Sequence, residues 1–175
     1  MKEVIHKMIS KEQVEERICE IAEQLNRDYA GETLHMICIL RGSVFFFSQL
    51  AMAVTVPVTM DFMAISSYGE STMHSGLEVR KDLDEELEGR HVLIVEDIID
   101  SGNTLSLVKR MLAARNPASL KICTLLDKPE RRETPVEVEY TGFEIPDKFV
   151  VGYGLDYAQR YRNLPYLAEI EFVEE

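Results

Sequence analysis

Apolar runs of strand length alternate with helical patterns along this chain, and this alternation restricts the fold more than any other feature of the sequence. Strand-like runs lie at Leu34–Leu40, 91–95 and 120–126, and helical patterns lie at Val44–Ala53 and 103–115. Parallel strands need crossover connections, usually helices, and strands buried on both faces are apolar throughout. The sequence therefore predicts an α/β fold with a mostly parallel, twisted sheet flanked by helices.

Further elements are predicted on either side of this pattern. Ser10 and Gln13 have the spacing of a helix-capping box. A strand is predicted within 56–68, and further, shorter strands are predicted at 136–140 and 149–153. Behind the capping box, five apolar residues recur on one helical face and are predicted to be buried: Val14, Ile18, Ile21, Ala22 and Leu25.

Length and composition limit the organisation and the partners of the chain. Residues 1–175 fit one domain, no stretch is apolar for long enough to cross a bilayer, and the N-terminus lacks a signal-peptide pattern. Cys19, Cys38 and Cys123 show no metal-binding spacing, which is typical of a reduced, cytoplasmic compartment. The formal net charge of −12 argues against nucleic-acid binding, which relies on Lys and Arg to neutralise phosphates. A small phosphorylated ligand is still possible, since amides and a metal ion act at short range.

The segment from His91 to Thr104 carries the densest chemistry. Its apolar strand runs into Glu96 and Asp97, and after two aliphatic residues Asp100-Ser101-Gly102-Asn103-Thr104 opens a helix. Amides and hydroxyls at a helix N-terminus favour a phosphate. Nearby carboxylates would repel that phosphate, and a ligand that combines ribose hydroxyls with Mg²⁺ resolves the conflict. Taken singly, each feature has a structural alternative, an N-cap for Asp100-Ser101 and a solvated strand end for Glu96-Asp97.

Two common phosphate-binding motifs are missing. The chain has no GxxxxGK[ST] sequence, and the segment from Gly152 to Tyr157 begins like GxGxxG but lacks the third glycine. A P-loop nucleotidase and a dinucleotide-binding protein are therefore disfavoured.

Residues 92–104 resemble the phosphoribosyl-pyrophosphate signature of the type I phosphoribosyltransferases. Four further segments resemble the bacterial hypoxanthine phosphoribosyltransferases: Leu126-Asp127-Lys128-Pro129, Gly142 to Tyr157, Leu40-Arg41-Gly42 and Ser67-Tyr68. The resemblance implies that family's fold, with residues from about 127 to 175 contributing a small hood over the purine. It also implies purine salvage, in which hypoxanthine or guanine receives the phosphoribosyl group of phosphoribosyl pyrophosphate at N9, giving IMP or GMP and pyrophosphate.

The resemblance also assigns roles on the ribose and purine sides. Asp100 matches the general base near N7 of the purine, and Lys128 matches the lysine that reads O6. An ammonium is only a donor, so Lys128 favours a keto oxygen over the amino group of adenine. Phe149 matches the aromatic that stacks on the purine, and Val150 matches the residue whose backbone meets the base edge. The remaining matches are the ribose and Mg²⁺ carboxylates Glu96 and Asp97 and the 5′-phosphate loop Ser101, Gly102, Asn103 and Thr104.

On the pyrophosphate side, the resemblance assigns Arg41 and Gly42 to a short binding loop, and we predict a cis peptide bond between Leu40 and Arg41. Arg162 matches a basic residue that binds pyrophosphate, and Asp156 matches an acidic residue near a second Mg²⁺. Ser67 and Tyr68 match the start of a mobile flap over the reacting centre. His74 also lies in this flap and is predicted to be incidental.

Two alternative functions compete with this enzyme. A regulatory protein could keep the same fold to sense nucleotides or bind RNA, but Asp100, Lys128 and Phe149 are intact and the pI is about 4.8. A related enzyme for adenine, xanthine or a pyrimidine is disfavoured by the Lys128 and Phe149 segments. Xanthine stays open as a minor substrate because it also carries the 6-oxo group, and the sequence does not rank hypoxanthine over guanine.

The helix at Val44–Ala53 is more apolar than one buried face requires, because it contains Phe45-Phe46-Phe47. This excess of apolar surface favours a subunit interface, and therefore a homodimer or homotetramer. The alternative is that the helix is buried on most sides within the monomer. The expected partners are phosphoribosyl pyrophosphate and a 6-oxopurine base, with neither nucleic acid nor membrane.

Overall fold

The computed structural model describes residues 2–67 and 77–173, and the predicted flap residues Tyr68 and His74 lie outside them. Within the described residues, no helix is both long and apolar enough to span a bilayer. The elements are, in chain order, β1 (Lys2–Ile9), α1 (Lys11–Asp28), β2 (Leu34–Leu40), α2 (Val44–Ala53), β3 (Val58–Ser67), β4 (Leu77–Lys81), β5 (His91–Ile99), α3 (Asn103–Ala113), β6 (Ser119–Asp127), a 3₁₀ turn (Pro129–Arg131), β7 (Tyr140–Glu144), β8 (Val150–Val151) and β9 (Leu167–Val173).

Six strands form the main sheet in the order β4-β3-β2-β5-β6-β7. All neighbouring pairs are parallel except β3 and β4, which are antiparallel. The prediction of an α/β fold with a mostly parallel sheet is thus confirmed. Because parallel strands share one carboxyl edge, the segments that follow β2, β5 and β6 meet there, and ligands of such sheets bind at this edge.

Helices cover both faces of the main sheet. α1 begins with the predicted capping box, in which Ser10 and Gln13 exchange hydrogen bonds, and its five predicted inward residues are all buried. α1 and α2 pack on the face that presents Met36 and Cys38 of β2. α3 packs on the opposite face, against Ile37 and Ile39. This two-sided burial explains why β2 is apolar along its whole length.

A second, three-stranded sheet lies in the order β1-β9-β8 and joins the two ends of the chain. β1 pairs antiparallel with β9, from Lys2 opposite Val173 to Ile9 opposite Leu167. The family resemblance implies a hood built from the C-terminal segment alone, and no sequence pattern predicts β1. The small sheet instead combines that C-terminal segment with the N-terminal strand.

The strand predicted at 136–140 was wrong. The strand in this region, β7, begins at Tyr140, and the residues before it are irregular. Val136 and Val138 instead pack beside the core under α3. Their alternation therefore reflects side-chain packing without strand pairing, which the sequence pattern cannot distinguish.

Candidate active site

The loop between β5 and α3 forms a cavity at the carboxyl edge of the sheet. β5 runs through Glu96 and Asp97 to Ile99, so the two carboxylates lie within the strand, whereas the sequence analysis ended the strand before them. A cavity of 230 Å³ is lined by residues 96–102, 104 and 105. We call residues 100–104 the phosphate loop. Gly102 has a φ of 83° there, and a side chain on it would lie 2.4 Å from the carbonyl oxygen of Thr134, so only glycine fits.

Glu96 and Asp97 form a pair of partly buried carboxylates on the floor of this cavity. Burial raises the pKa of Glu96 well above its ordinary value, and the charge of Asp97 adds to that rise. Burial likewise raises the pKa of Asp97, although Arg162 opposes the rise. The Ser43 hydroxyl, which is fully buried, donates a hydrogen bond to Glu96 Oε1 at 2.9 Å. Sequence reasoning missed Ser43, for which the only signal was its position directly after Arg41-Gly42.

The loop after β2 lies directly beside these carboxylates. The peptide bond between Leu40 and Arg41 is cis, as predicted. A Cβ on Gly42 would lie 1.7 Å from Asp97 Oδ2, and a Cβ on Gly154 would lie 1.9 Å from the carbonyl oxygen of Gly42. The backbone of Gly42 is therefore held between the carboxylate of Asp97 and the backbone of Gly154. The exposed side chain of Arg41 donates to Gln159 Oε1 at 3.3 Å.

The turn after Gly154 places Asp156 and Arg162 at the same edge. Arg162 Nη2 lies 2.7 Å from Asp156 Oδ1, and Arg162 Nη1 donates to the carbonyl oxygen of Gly154 at 2.6 Å. Among the described residues, no three or more His, Cys, Asp or Glu side chains are grouped to hold a metal ion. The predicted metal carboxylates Glu96, Asp97 and Asp156 are thus not gathered into one cluster, and Asp156 is paired with Arg162.

A second cavity adjoins the first and contains the residues predicted to bind the purine. It measures 190 Å³ and shares Asp97, Ile98 and Asp100 with the first cavity. Its other lining residues are Lys128, Phe149, Val150, Leu155 and Asp156. The two cavities therefore form one cleft, with Asp100 at their common boundary.

Lys128 and Phe149 differ in exposure within the second cavity. Lys128 is only 8% exposed, and its backbone amide donates to the carbonyl oxygen of Ile99 at 3.0 Å. A buried ammonium is costly unless a polar partner satisfies it; the nearest carboxylate oxygen, on Asp147, is 3.7 Å away. Phe149 is 49% exposed and touches the ring of Tyr157 edge-on at 5.6 Å, so one large aromatic face is available. Val150, by contrast, is buried in β8.

The carboxylate of Asp100 takes part in a chain of ion pairs. Arg131 Nε donates to Asp100 Oδ1 at 3.1 Å, and Arg131 Nη1 lies 3.5 Å from Asp147 Oδ2. Asp147 in turn lies near Lys128. This chain links the boundary of the two cavities to the buried lysine. Of the predicted flap pair, only the backbone of Ser67, at the end of β3, is described.

The fold is an α/β fold with a mostly parallel sheet, and the loop after β5 forms a cavity that shares Asp100 with a second cavity. This arrangement is that of the phosphoribosyltransferases. A family model described as "Phosphoribosyl transferase domain" matches residues 7–158. Two relatives indicate which group of phosphoribosyltransferases the chain resembles. The chain is 50% identical to the hypoxanthine phosphoribosyltransferase of Salmonella typhimurium, over 100% of both chains. It is 50% identical to the hypoxanthine-guanine phosphoribosyltransferase of Mycobacterium tuberculosis, over 94% of this chain and 85% of that protein.

Solved structures agree with these similarities. The crystal structure of a hypoxanthine-guanine phosphoribosyltransferase from Bacillus anthracis superposes with a TM-score of 0.90 at 46% identity, covering 93% of this chain and 96% of that chain. The chain belongs to the hypoxanthine(-guanine) phosphoribosyltransferase family.

Proposed function

We propose that the protein transfers the 5-phosphoribosyl group from phosphoribosyl pyrophosphate to N9 of hypoxanthine or guanine, in purine salvage. The observation that supports this most directly is the single cleft, in which Asp100 lines both the cavity of the phosphate loop and the cavity of the buried donor Lys128. A ribose bound across that boundary would present C1′ beside Asp100. The relatives carry this activity in their names, and none of them supports the regulatory alternative.

The proposed reaction is a substitution at C1′ of the ribose. N9 of the base forms the new bond to C1′, and the bond from C1′ to pyrophosphate breaks with its electron pair leaving on the pyrophosphate oxygen. The base loses its N7 proton, and the carboxylate of Asp100 accepts it. Phe149 would stack on the purine, and Val150 would offer backbone groups to the base edge. The ammonium of Lys128 would donate to O6.

The phosphoribosyl pyrophosphate is proposed to bind along the phosphate loop and the loop after β2. Ser101, Gly102 and Thr104 line the first cavity and would hold the 5′-phosphate. Arg41, Gly42 and Arg162 are proposed to bind pyrophosphate, and the flap that begins at Ser67 and Tyr68 to exclude water. We further propose that the whole chain is one catalytic unit, with the small sheet and the segment from residue 127 forming the hood.

Glu96 and Asp97 fit a magnesium ion. Mg²⁺ takes oxygen ligands and is usually bound by one or two carboxylates together with substrate phosphates and waters. Burial raises the pKa of both carboxylates, which means that hydrogen bonds and Arg162 offset their paired charges only in part. When bound, Mg²⁺ would offset the charge of these carboxylates and of the pyrophosphate. Asp156, which pairs with Arg162, would be a further oxygen ligand.

The buried carboxylates predict a pH-dependent stability. The pKa of Glu96 is raised above the value of 4.5 expected in the unfolded chain, so the folded state holds its proton more tightly. Without Mg²⁺, the free energy of unfolding should therefore fall as pH rises above that value. Glu96→Gln removes this charge and keeps an acceptor for Ser43. We expect the Tm of Glu96→Gln near pH 8 to exceed that of the wild type. Each kcal/mol by which the substitution raises the free energy of unfolding should raise the Tm by about 2–4 °C.

Thermal unfolding between about pH 5 and pH 8, with and without Mg²⁺, measures this effect. The Tm difference between Glu96→Gln and wild type should shrink as pH falls, because wild-type Glu96 then takes up the proton that its raised pKa favours. Mg²⁺ should raise the Tm of the wild type more than that of the variant. Glu23→Gln, an exposed carboxylate on α1, is the matched control and should change nothing. A variant less stable than wild type at pH 8 would contradict the argument.

The activity itself is tested by incubating the full chain with Mg²⁺, phosphoribosyl pyrophosphate and each of hypoxanthine, guanine, xanthine and adenine. Nucleotide formation, followed by absorbance, is expected for hypoxanthine or guanine and not for adenine. If the folded, Mg²⁺-loaded protein turns over none of these bases, the proposed function is wrong.

Lys128 is expected to set the preference for 6-oxopurines. Lys128→Met keeps the length of the buried side chain and removes its donor, so O6 of the base would be left unpaired in a buried site. We expect KM for hypoxanthine to rise by about ten- to a hundredfold, the cost of an unsatisfied buried polar group. KM for phosphoribosyl pyrophosphate should stay near the wild-type value. Lys148→Met, an exposed lysine that pairs with Glu169, is the matched control; an equal loss there would exclude specific recognition by Lys128.

The protein is also proposed to form a cytoplasmic homodimer or homotetramer through α2. Phe45 and Met52 on this helix are 45% and 73% exposed, which leaves part of its apolar surface uncovered in one chain. Light scattering that gives a solution mass of 20.1 kDa would contradict this proposal.

A further inference from the structure

The segment that follows the 3₁₀ turn lies against the phosphate loop. We call residues Arg132, Glu133 and Thr134 the brace. The amides of Glu133 and Thr134 both donate to the carbonyl oxygen of Ser101, at 2.9 and 3.0 Å. Arg132 Nε donates to the carbonyl oxygen of Asp100 at 3.1 Å. The brace thus engages the backbone of the loop, and none of its three residues lines the first cavity.

The side chain of Asn103 completes this contact. Asn103 Nδ2 donates to Glu133 Oε2 at 2.8 Å, and the hydroxyl of Thr134 donates to Asn103 Oδ1. Both polar atoms of the amide are therefore engaged by the brace. Asn103 does not line the first cavity, although its neighbours Gly102 and Thr104 do.

We propose that Asn103 is a positioning residue, whose side chain fixes the phosphate loop through Thr134 and Glu133 and does not touch the 5′-phosphate. This inference rests on the proposed function and revises one part of the sequence analysis, which placed Asn103 among the phosphate-binding residues. Its physical reason is pre-organisation: a loop already held in its binding conformation loses less entropy when the ligand binds. The effect should appear in the binding of the 5′-phosphate and not in the chemical step.

The test compares a ligand that contains the 5′-phosphate with one that does not. Phosphoribosyl pyrophosphate carries a ribose 5-phosphate, whereas pyrophosphate lacks both the ribose and the 5′-phosphate, and the affinity of the Mg²⁺-loaded protein for each can be measured by calorimetry. Asn103→Ala removes the hydrogen bonds to Thr134 and to the Glu133 carboxylate. It is expected to weaken the binding of phosphoribosyl pyrophosphate by about five- to tenfold, on the order of the net contribution of one hydrogen bond. Its affinity for pyrophosphate, and KM for hypoxanthine, should stay at the wild-type values.

Thr134→Val separates positioning from direct contact, because it breaks the bridge without altering Asn103. If Asn103 acts through the brace, Thr134→Val should weaken the binding of phosphoribosyl pyrophosphate to a similar extent. The affinity of the double variant should then be little lower than that of either single variant. Glu133→Gln keeps an acceptor for Asn103 and is the matched control, with near-normal affinity expected.

Several outcomes would overturn the inference. A loss in Asn103→Ala but not in Thr134→Val would show that the amide contacts the phosphate directly, and fully additive losses would show that the two residues act separately. Equal weakening of pyrophosphate would indicate general damage to the fold. If the variants bind phosphoribosyl pyrophosphate as the wild type does, this inference alone fails. If the wild type binds none, the proposed function fails as well.

Discussion

Replacing Asp100 with Asn is expected to lower kcat by about 10²- to 10⁴-fold, the usual contribution of a positioned acid or base. Asp100 lies at the boundary shared by the first and second cavities, where the proposed reaction requires the base to lose its proton. An ionised carboxylate can accept that proton, whereas an amide of nearly the same shape cannot. KM for phosphoribosyl pyrophosphate should change far less, since the phosphate loop keeps its backbone contacts.

Single-turnover and steady-state assays at saturating hypoxanthine measure this loss, and thermal unfolding serves as the check on the fold. The pair between Asp100 and Arg131 is exposed, and such pairs contribute little to stability. The Tm of Asp100→Asn should therefore stay close to that of the wild type. Asp147→Asn also frees Arg131 from a carboxylate but keeps the proton acceptor, so its kcat should be nearly normal. Normal turnover by Asp100→Asn would remove Asp100 from the reaction.

The phosphate loop could be predicted from the sequence because its determinants are local. Fourteen consecutive positions, 91–104, contain a strand, a turn of small residues and the beginning of a helix. Together they specify the local shape of this segment. β2 and α2 were predicted with correct boundaries for a related reason, since each is a continuous apolar run with clear ends. These elements need no knowledge of the rest of the chain.

The remaining features depend on residues far apart in the sequence. β1 contains charged residues at Lys2, Glu3 and Lys7, and its partner β9 lies at the other end of the chain, so no local pattern marked it as a strand. The bond from Ser43 to Glu96 and the pair of Asp156 with Arg162 likewise arise only when separate loops meet. Lys128 is buried where β6 ends beside β5, and its backbone amide donates there to the carbonyl oxygen of Ile99, a contact that no local sequence pattern predicts.

Gly42→Ala is the second variant from which we expect a large loss. Its Cβ would lie 1.7 Å from Asp97 Oδ2 and 2.7 Å from Asp97 Cγ, far inside contact distance. The loop cannot retreat, because the carbonyl oxygen of Gly42 already lies against Gly154. The carboxylate of Asp97 must therefore move. A displacement of about 1 Å at a reacting centre can cost about 10²-fold in rate, so we expect kcat/KM for phosphoribosyl pyrophosphate to fall at least that far.

A matched control separates this local effect from a general loss of stability. Overpacking at Gly42 should also lower the free energy of unfolding, by about 1–3 kcal/mol. Gly142→Ala, in β7, places its Cβ 2.3 Å from the carbonyl oxygen of Leu125, away from both cavities, and should destabilise the protein in the same way. Well below their Tm values, the Gly142 variant should keep near-normal kcat/KM per folded molecule, while the Gly42 variant should not. Equal activity of the two variants would mean that the close approach of Gly42 to Asp97 serves the fold and not the reaction.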